Sequence, residues 1–109
     1  MGNSNRIESE LKNYIKDLAE KCFEIEVGEV NVEHPEKASH GDFSTNICLV
    51  LAPRLKQSPI ELAKKLVYEM SEEPLITKIG QRQVQIFNSV EVAEPGFINF
   101  FFKKHKKHT

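Results

Sequence analysis

Near the end of the chain, Val90-Glu91-Val92-Ala93 alternates apolar and polar residues, and Phe97 to Phe102 follows as a second β-prone run. Pro95-Gly96 between them fits the two central positions of a type II turn. Runs this close can pair only antiparallel, because parallel neighbours need a crossover of a dozen or more residues. An isolated hairpin is marginal in water. The preceding ninety residues must therefore cover its apolar side.

Two segments have the pattern for that cover. From Ile7 to Cys22, Ile7, Leu11 and Ile15, then Tyr14, Leu18 and Cys22, recur at i, i+4, with Glu8, Glu10, Lys12, Lys16, Asp17 and Lys21 on the other side. That spacing predicts an amphipathic helix, capped by Ser4 or Asn5. Ser58-Pro59-Ile60-Glu61 is a strong helix start. Ser58 suits the cap, Pro59 the first helical position, and Glu61 completes a capping box. Leu62, Ala63, Leu66, Val67 and Met70 continue it at helical spacing, and Ser71 to Pro74 ends it.

Between these helices the period changes to two. Phe23, Ile25 and Val27, then Val30 and Val32, alternate with polar residues, which predicts a half-buried strand, best defined over Glu29 to Glu33. His34-Pro35 ends it, because proline donates nothing to a ladder. Glu36 to Gly41 reads as a loop. Asp42 or Ser44 then caps a second helix with Ile47, Leu49, Val50, Leu51 and Leu55 apolar; Pro53 predicts a kink or split near Ala52. Leu75 to Arg82 is either a short helix or an irregular connection closed by Gly80, and Val84 to Phe87 is either a strand or the end of that connection. The fold class is α+β: a small antiparallel sheet of three or four strands with three main helices packed on one face.

Composition bounds the function. The 109 residues suit one small domain, and 28% charged with 39% hydrophobic residues suits a globular one. No apolar run approaches the roughly 20 residues of a membrane helix. The polar N-terminus lacks a secretory core, so a cytoplasmic location and no membrane partner are expected. Cys22 and Cys48 fall on apolar helix faces and read as free buried thiols. The formal charge of −1 conceals an asymmetry. Without Lys103, Lys104, Lys106 and Lys107, 11 basic residues face 16 acidic ones, a net of −5. A body this acidic is a poor generic nucleic-acid binder, so any RNA contact must be local and shape-directed.

The chemistry-bearing residues converge on Val32 to Asn46. His40 and Asp42 have no serine or cysteine nucleophile in a recognisable elbow. His34, His40 and Asp42 lack a fourth ligand for a metal, and no glycine-rich phosphate loop occurs. Neither catalysis, a metal nor a cofactor is expected of this chain. Two readings of the loop stand. Lys37, His40, Phe43 and Asn46 offer a charge, stacking faces and hydrogen bonds of the kind that hold splayed-out RNA bases. Alternatively Phe43 is core, Gly41 a tight bend and Asp42 a cap.

Two motifs add to this. His40-Gly41-Asp42-Phe43-Ser44-Thr45-Asn46, followed by Leu51-Ala52, Leu55, Ser58-Pro59 and Glu61-Leu62-Ala63, resembles the N-terminal additional domain of arginyl-tRNA synthetases, and so does Val90 to Phe100 with its Pro95-Gly96-Phe97-Ile98-Asn99. The likeness covers residues 7 to 102. It departs from the family at Pro53, where lysine is frequent, at Glu94, where glycine is frequent, and over Ile76 to Gln85, which is longer than usual. The resemblance implies that residues 1–102 are a non-catalytic tRNA-recognition domain and 103–109 a basic tail or the start of a linker. It implies tRNA-Arg, through its D-loop, and the catalytic domain of the same polypeptide as partners. By the same resemblance Lys37, His40, Gly41, Phe43, Ser44 and Asn46 face the tRNA. His40 or Phe43 would stack on a base, Asn46 would bond a base edge or hold the loop, and Asp42, Ser58 and Glu61 would be structural caps. The parent enzyme would be an arginine–tRNA ligase using ATP and Mg²⁺, neither of which this segment should bind. The segment is expected to be monomeric. The alternative is a protein-interaction module of the same fold without RNA contact.

Overall fold

The computed structural model describes residues 3–102; the basic segment 103–109 lies outside them. The first helix, α1, spans Asn3–Phe23 and so begins ahead of the two expected caps, which lie in its first turn. Leu11, Ile15, Leu18 and Ala19 are buried along one side. The exposed side carries i, i+4 pairs, Arg6 with Glu10 at 2.9 Å, Lys12 with Glu8 at 3.6 Å and Lys16 with Glu20 at 3.7 Å, a spacing at which helix side chains are neighbours. Glu24, at φ 57°, turns the chain out of the helix.

The alternation after α1 does not give the strand it predicts. Only Val32–Glu33 pairs, as β1. Val27 and Val30 are buried, but side chains satisfy the backbone around them. The Val27 N–H donates to the Glu20 carboxylate (2.9 Å), the Glu26 carbonyl accepts from Arg54 (2.8 Å) and the Asn31 carbonyl accepts from the Thr45 hydroxyl (2.7 Å). Backbone groups served in this way need no ladder partner.

A single 3₁₀ turn, Ala38–His40, precedes strand β2, Phe43–Thr45. Helix α2 (Ile47–Leu55) and helix α3 (Pro59–Glu72) follow. Asp42 and Ser44 therefore do not cap α2. The helix starts later, Asn46 holds its N-cap position without a side-chain bond, and the Ile47 N–H meets the Thr45 hydroxyl at 3.3 Å. Nor does Pro53 split α2. The helix runs through it and stops two residues later, where Lys56 turns left-handed at φ 55°. Ser58 does cap α3, its hydroxyl accepting from the Glu61 N–H at 3.5 Å. The reciprocal half of the capping box is absent among the described residues; the Glu61 carboxylate lies 3.8 Å from Lys64 instead.

Leu75 to Arg82, open between helix and connection in the sequence, and the start of Val84 to Phe87, open between strand and connection, form a separate hairpin of β3 (Ile76–Ile79) and β4 (Arg82–Gln85) turning at Gly80, φ +65°. It leads into β5 (Phe87–Ala93) and β6 (Phe97–Phe102). The main sheet is antiparallel with the order β1-β2-β6-β5, so β6 is central. Its tight turn differs from the type II expectation. The Gly96 N–H bonds the Ala93 carbonyl at 2.9 Å and the Glu94–Pro95 bond is cis, which places Pro95 at the third position of a type VI turn. The hairpin itself is as the pattern predicts, and its register runs from Ala93 opposite Phe97 through Glu91 opposite Asn99.

One core joins the three helices and the main sheet. Phe43 and Phe100 face each other across β2 and β6 with 1% and 0% exposure. Their rings, with Phe87 and Phe102, interlock at centroid distances of 5.2 to 6.0 Å. Leu62, Ala63, Leu66 and Met70 of α3 and Ile47, Cys48 and Leu51 of α2 close over them.

Candidate nucleic-acid interface

The motif around Gly41 is built against β6. Gly41 has φ +94°, and a side chain there would stand 2.7 Å from the Phe100 carbonyl oxygen, so only glycine fits. Asp42 then continues the sheet with its side chain. Its N–H donates to the Phe100 carbonyl, and its carboxylate accepts from the Phe102 N–H, both at 2.8 Å. The carboxylate stands in for a backbone carbonyl just ahead of the start of β2. Phe43 enters the core, and a ring with 1% exposure presents no face to a base; its expected place among the RNA contacts is corrected accordingly.

The second motif is locked in the same manner. A side chain on Gly96 would come within 2.6 Å of the Pro59 Cβ, so the β5–β6 turn sits directly on the start of α3. Each motif glycine thus marks a close approach to a neighbouring element, Gly41 to β6 and Gly96 to α3.

Strand alternation sorts the remaining residues. Ile98 and Phe100 are buried towards the helices, so Phe97, Asn99 and Phe101 point to the opposite, helix-free face. The register lines up Glu33, Ser44, Asn99 and Glu91 across the four strands on that face. The 34–40 loop curls beside them and closes a groove of about 440 Å³. Lys37, His40 and Ser44 from the predicted set line it, together with Phe97 and Asn99, which the sequence reading did not select, and Glu33, Glu36 and Glu94. Lys37 makes no ion pair among the described residues. Gly41 is buried beneath the loop, and Asn46 does not line the groove. Its backbone carbonyl accepts from Leu49 and Val50, and its amide oxygen is buried without a partner among the described residues.

The signal for Asn99 was present in the sequence. It is the one polar residue in Phe-Ile-Asn-Phe-Phe-Phe, and a lone amide in an apolar strand marks the face that leaves the core. Burial pushes the Cys48 thiol up to about 12 and raises Cys22 as well, and both cysteines are free. No group of three or more metal-ligating side chains occurs among the described residues. No described helix is long and apolar enough to cross a membrane.

The model for the arginyl tRNA synthetase N terminal domain matches residues 5–102. The chain belongs to that family. It is 39% identical over 94 residues to the arginine–tRNA ligase of Nitrosomonas europaea, covering 85% of this chain and 14% of the ligase. The ligase of Rhizobium meliloti is 39% identical over 85 residues, 78% of this chain and 13% of its own. That of Syntrophotalea carbinolica is 33% identical over 97 residues, 84% and 16%. The chain therefore spans about a seventh of the length of the relatives it matches.

Proposed function

We propose that this domain reads the D-loop of tRNA-Arg for a longer arginine–tRNA ligase, with the helix-free groove as the reading site. The observation that carries the proposal is the groove itself. It brings a half-buried aromatic ring (Phe97), an amide (Asn99), a hydroxyl (Ser44), an imidazole (His40) and a free ammonium (Lys37) to one concavity on a domain of this family. An extruded base stacks on Phe97 or His40, its edge bonds Asn99 and Ser44, and Lys37 takes a neighbouring phosphate. That chemistry matches how single-stranded RNA loops are held. Gly41, Asp42 and Phe43 set the groove's shape and touch no RNA. Arginine, ATP and Mg²⁺ are handled by the rest of the longer protein, and the cytoplasm is where it works.

The carboxylates of Glu33, Glu36 and Glu94 on the same rim favour a second reading, a docking site for a basic protein segment. Titration of tRNA-Arg into the chain and into its Phe97→Ala and Asn99→Ala variants separates the two. Stacking of one base contributes about 1–3 kcal/mol, so the aromatic variant should lose affinity clearly while keeping its fold. Equal tRNA affinity for all three proteins would remove the RNA reading. The aminoacylation KM for tRNA in the longer ligase carrying the same changes is the companion measurement, because the linked catalytic domain supplies further affinity.

A further inference from the structure

The chain has seven phenylalanines. Phe43, Phe87, Phe100 and Phe102 form the interlocked cluster, and Phe23 packs against the core. Phe97 and Phe101 do neither. Both are half-buried, neither packs against the core cluster, and neither has an aromatic partner among the described residues. Phe97 lines the groove; Phe101 does not.

Phe101 stands on the same open face of the same central strand, four residues further on, or about 13 Å along β6 at strand rise. Ser89 is directly opposite it on β5. The register between β5 and β6 shifts at this point, so that exposed Asn88 is the extra residue of a bulge. Bulges re-aim side chains and collect beside binding sites. The far end of the open face therefore carries a second half-buried ring without an aromatic partner, Phe101, as the groove carries Phe97, while Asn88 and Ser89 also border a cavity on the helix side with Tyr14, Met70 and Phe87.

We propose that Phe101 is a second nucleobase-stacking subsite, which takes another base from the same single-stranded RNA segment whose first base lies at Phe97. This rests on the RNA reading of the groove. Thirteen ångströms is too far for one base to touch both rings and suits two bases of one loop. Stacking is the contact an acidic body can make, since it needs no phosphate neutralisation. A four-stranded sheet with aromatic residues on the open face of a central strand is a known way for a sheet to hold two or three bases.

The chain contains no tryptophan, so Phe97→Trp and Phe101→Trp each install a single fluorophore that a stacked base quenches. Each variant is titrated with a tRNA-Arg transcript, and with transcripts in which the D-loop bases are removed one at a time. The proposal expects quenching in both variants, with each signal restored by removal of a different base. Quenching at position 97 but not at 101, with RNA bound in both, overturns the second subsite and leaves the groove reading intact. Restoration of both signals by the same missing base also overturns it. No quenching in either overturns the groove reading and this one with it. Phe101→Ala, checked by circular dichroism for its fold, should bind tRNA-Arg about 5- to 150-fold more weakly; an unchanged affinity counts against the proposal.

Discussion

The two faces of β6 are made from the same six residues and do opposite work. Ile98 and Phe100 have no exposed surface and lie under α2 and α3. Phe97, Asn99 and Phe101 alternate with them and face away. On the inner face every ring has a ring partner, so the contacts are spent on stability. On the outer face Phe97 and Phe101 stay half-buried without a ring partner among the described residues, beside the largely buried Asn99, which a domain tolerates when something else is to cover the rings. Hydrophobicity does not separate the faces, since both carry phenylalanine. The difference is whether a neighbouring element closes over the side chain.

The sharpest way to break this division is to truncate one ring on each side. Phe100→Ala should lower unfolding stability by about 3–5 kcal/mol, the usual cost of emptying an aromatic site in a core, while a variant that still folds keeps its RNA preference. That loss is a large share of the total for a domain of this size. Phe97→Ala should do the reverse, with its thermal midpoint nearly unmoved and tRNA-Arg affinity down about 5- to 150-fold. If Phe97→Ala melts as early as Phe100→Ala, the faces are not distinct.

Asp42 tests the frame that both faces share. Asp42→Ala leaves the Phe102 N–H without its acceptor and should cost about 1–3 kcal/mol of stability. Asp42→Asn keeps an oxygen in place and should cost less. Equal losses would mean that the charge, and not the ladder contact, matters.

The helix-covered side also predicts a pH response. Unfolded Cys48 releases its proton near the ordinary value of about 8.5, whereas the buried thiol holds it until about 12. Tyr14 is raised in the same sense, first by burial and then by Glu73. Above the unfolded values the unfolded chain carries fewer protons than the folded one, so stability falls as pH rises towards 12. Denaturant midpoints at pH 8 and pH 10.5 check the sign; a midpoint that rises with pH contradicts the burial. The smallest expected effect is on the groove rim. Ser44→Ala removes one half-buried hydroxyl from the groove and should weaken tRNA binding about 2- to 10-fold, with little change in melting.

Much of the fold was legible because local rules and tertiary needs agreed. The i, i+4 stripe of α1, the Ser58-Pro59 start of α3 and the β5–β6 hairpin stand where the pattern puts them. The failures share a cause. Val27 and Val30 alternate like a strand, but side chains of Glu20, Arg54 and Thr45 occupy backbone groups in that stretch. Asp42 looks like a helix cap because aspartate ahead of an apolar run usually is one, yet its carboxylate is used sixty residues away. The β3–β4 hairpin was hidden because its exposed Ile76 and Ile79 give no clean alternation.

The sequence by itself determined the helices, the hairpin and the family, because these follow from periodicity, capping chemistry and motif order along a short stretch of chain. The tertiary structure alone decided which aromatic rings are free. By alternation Asn99 marks the face that Phe97 and Phe101 share, but five apolar residues around one amide carry no mark of which neighbours will close over the other face. The pairing of β6 with β2 and β5, and the helices packed on one side only, sent Phe100 inward and left Phe97, Asn99 and Phe101 to face outward.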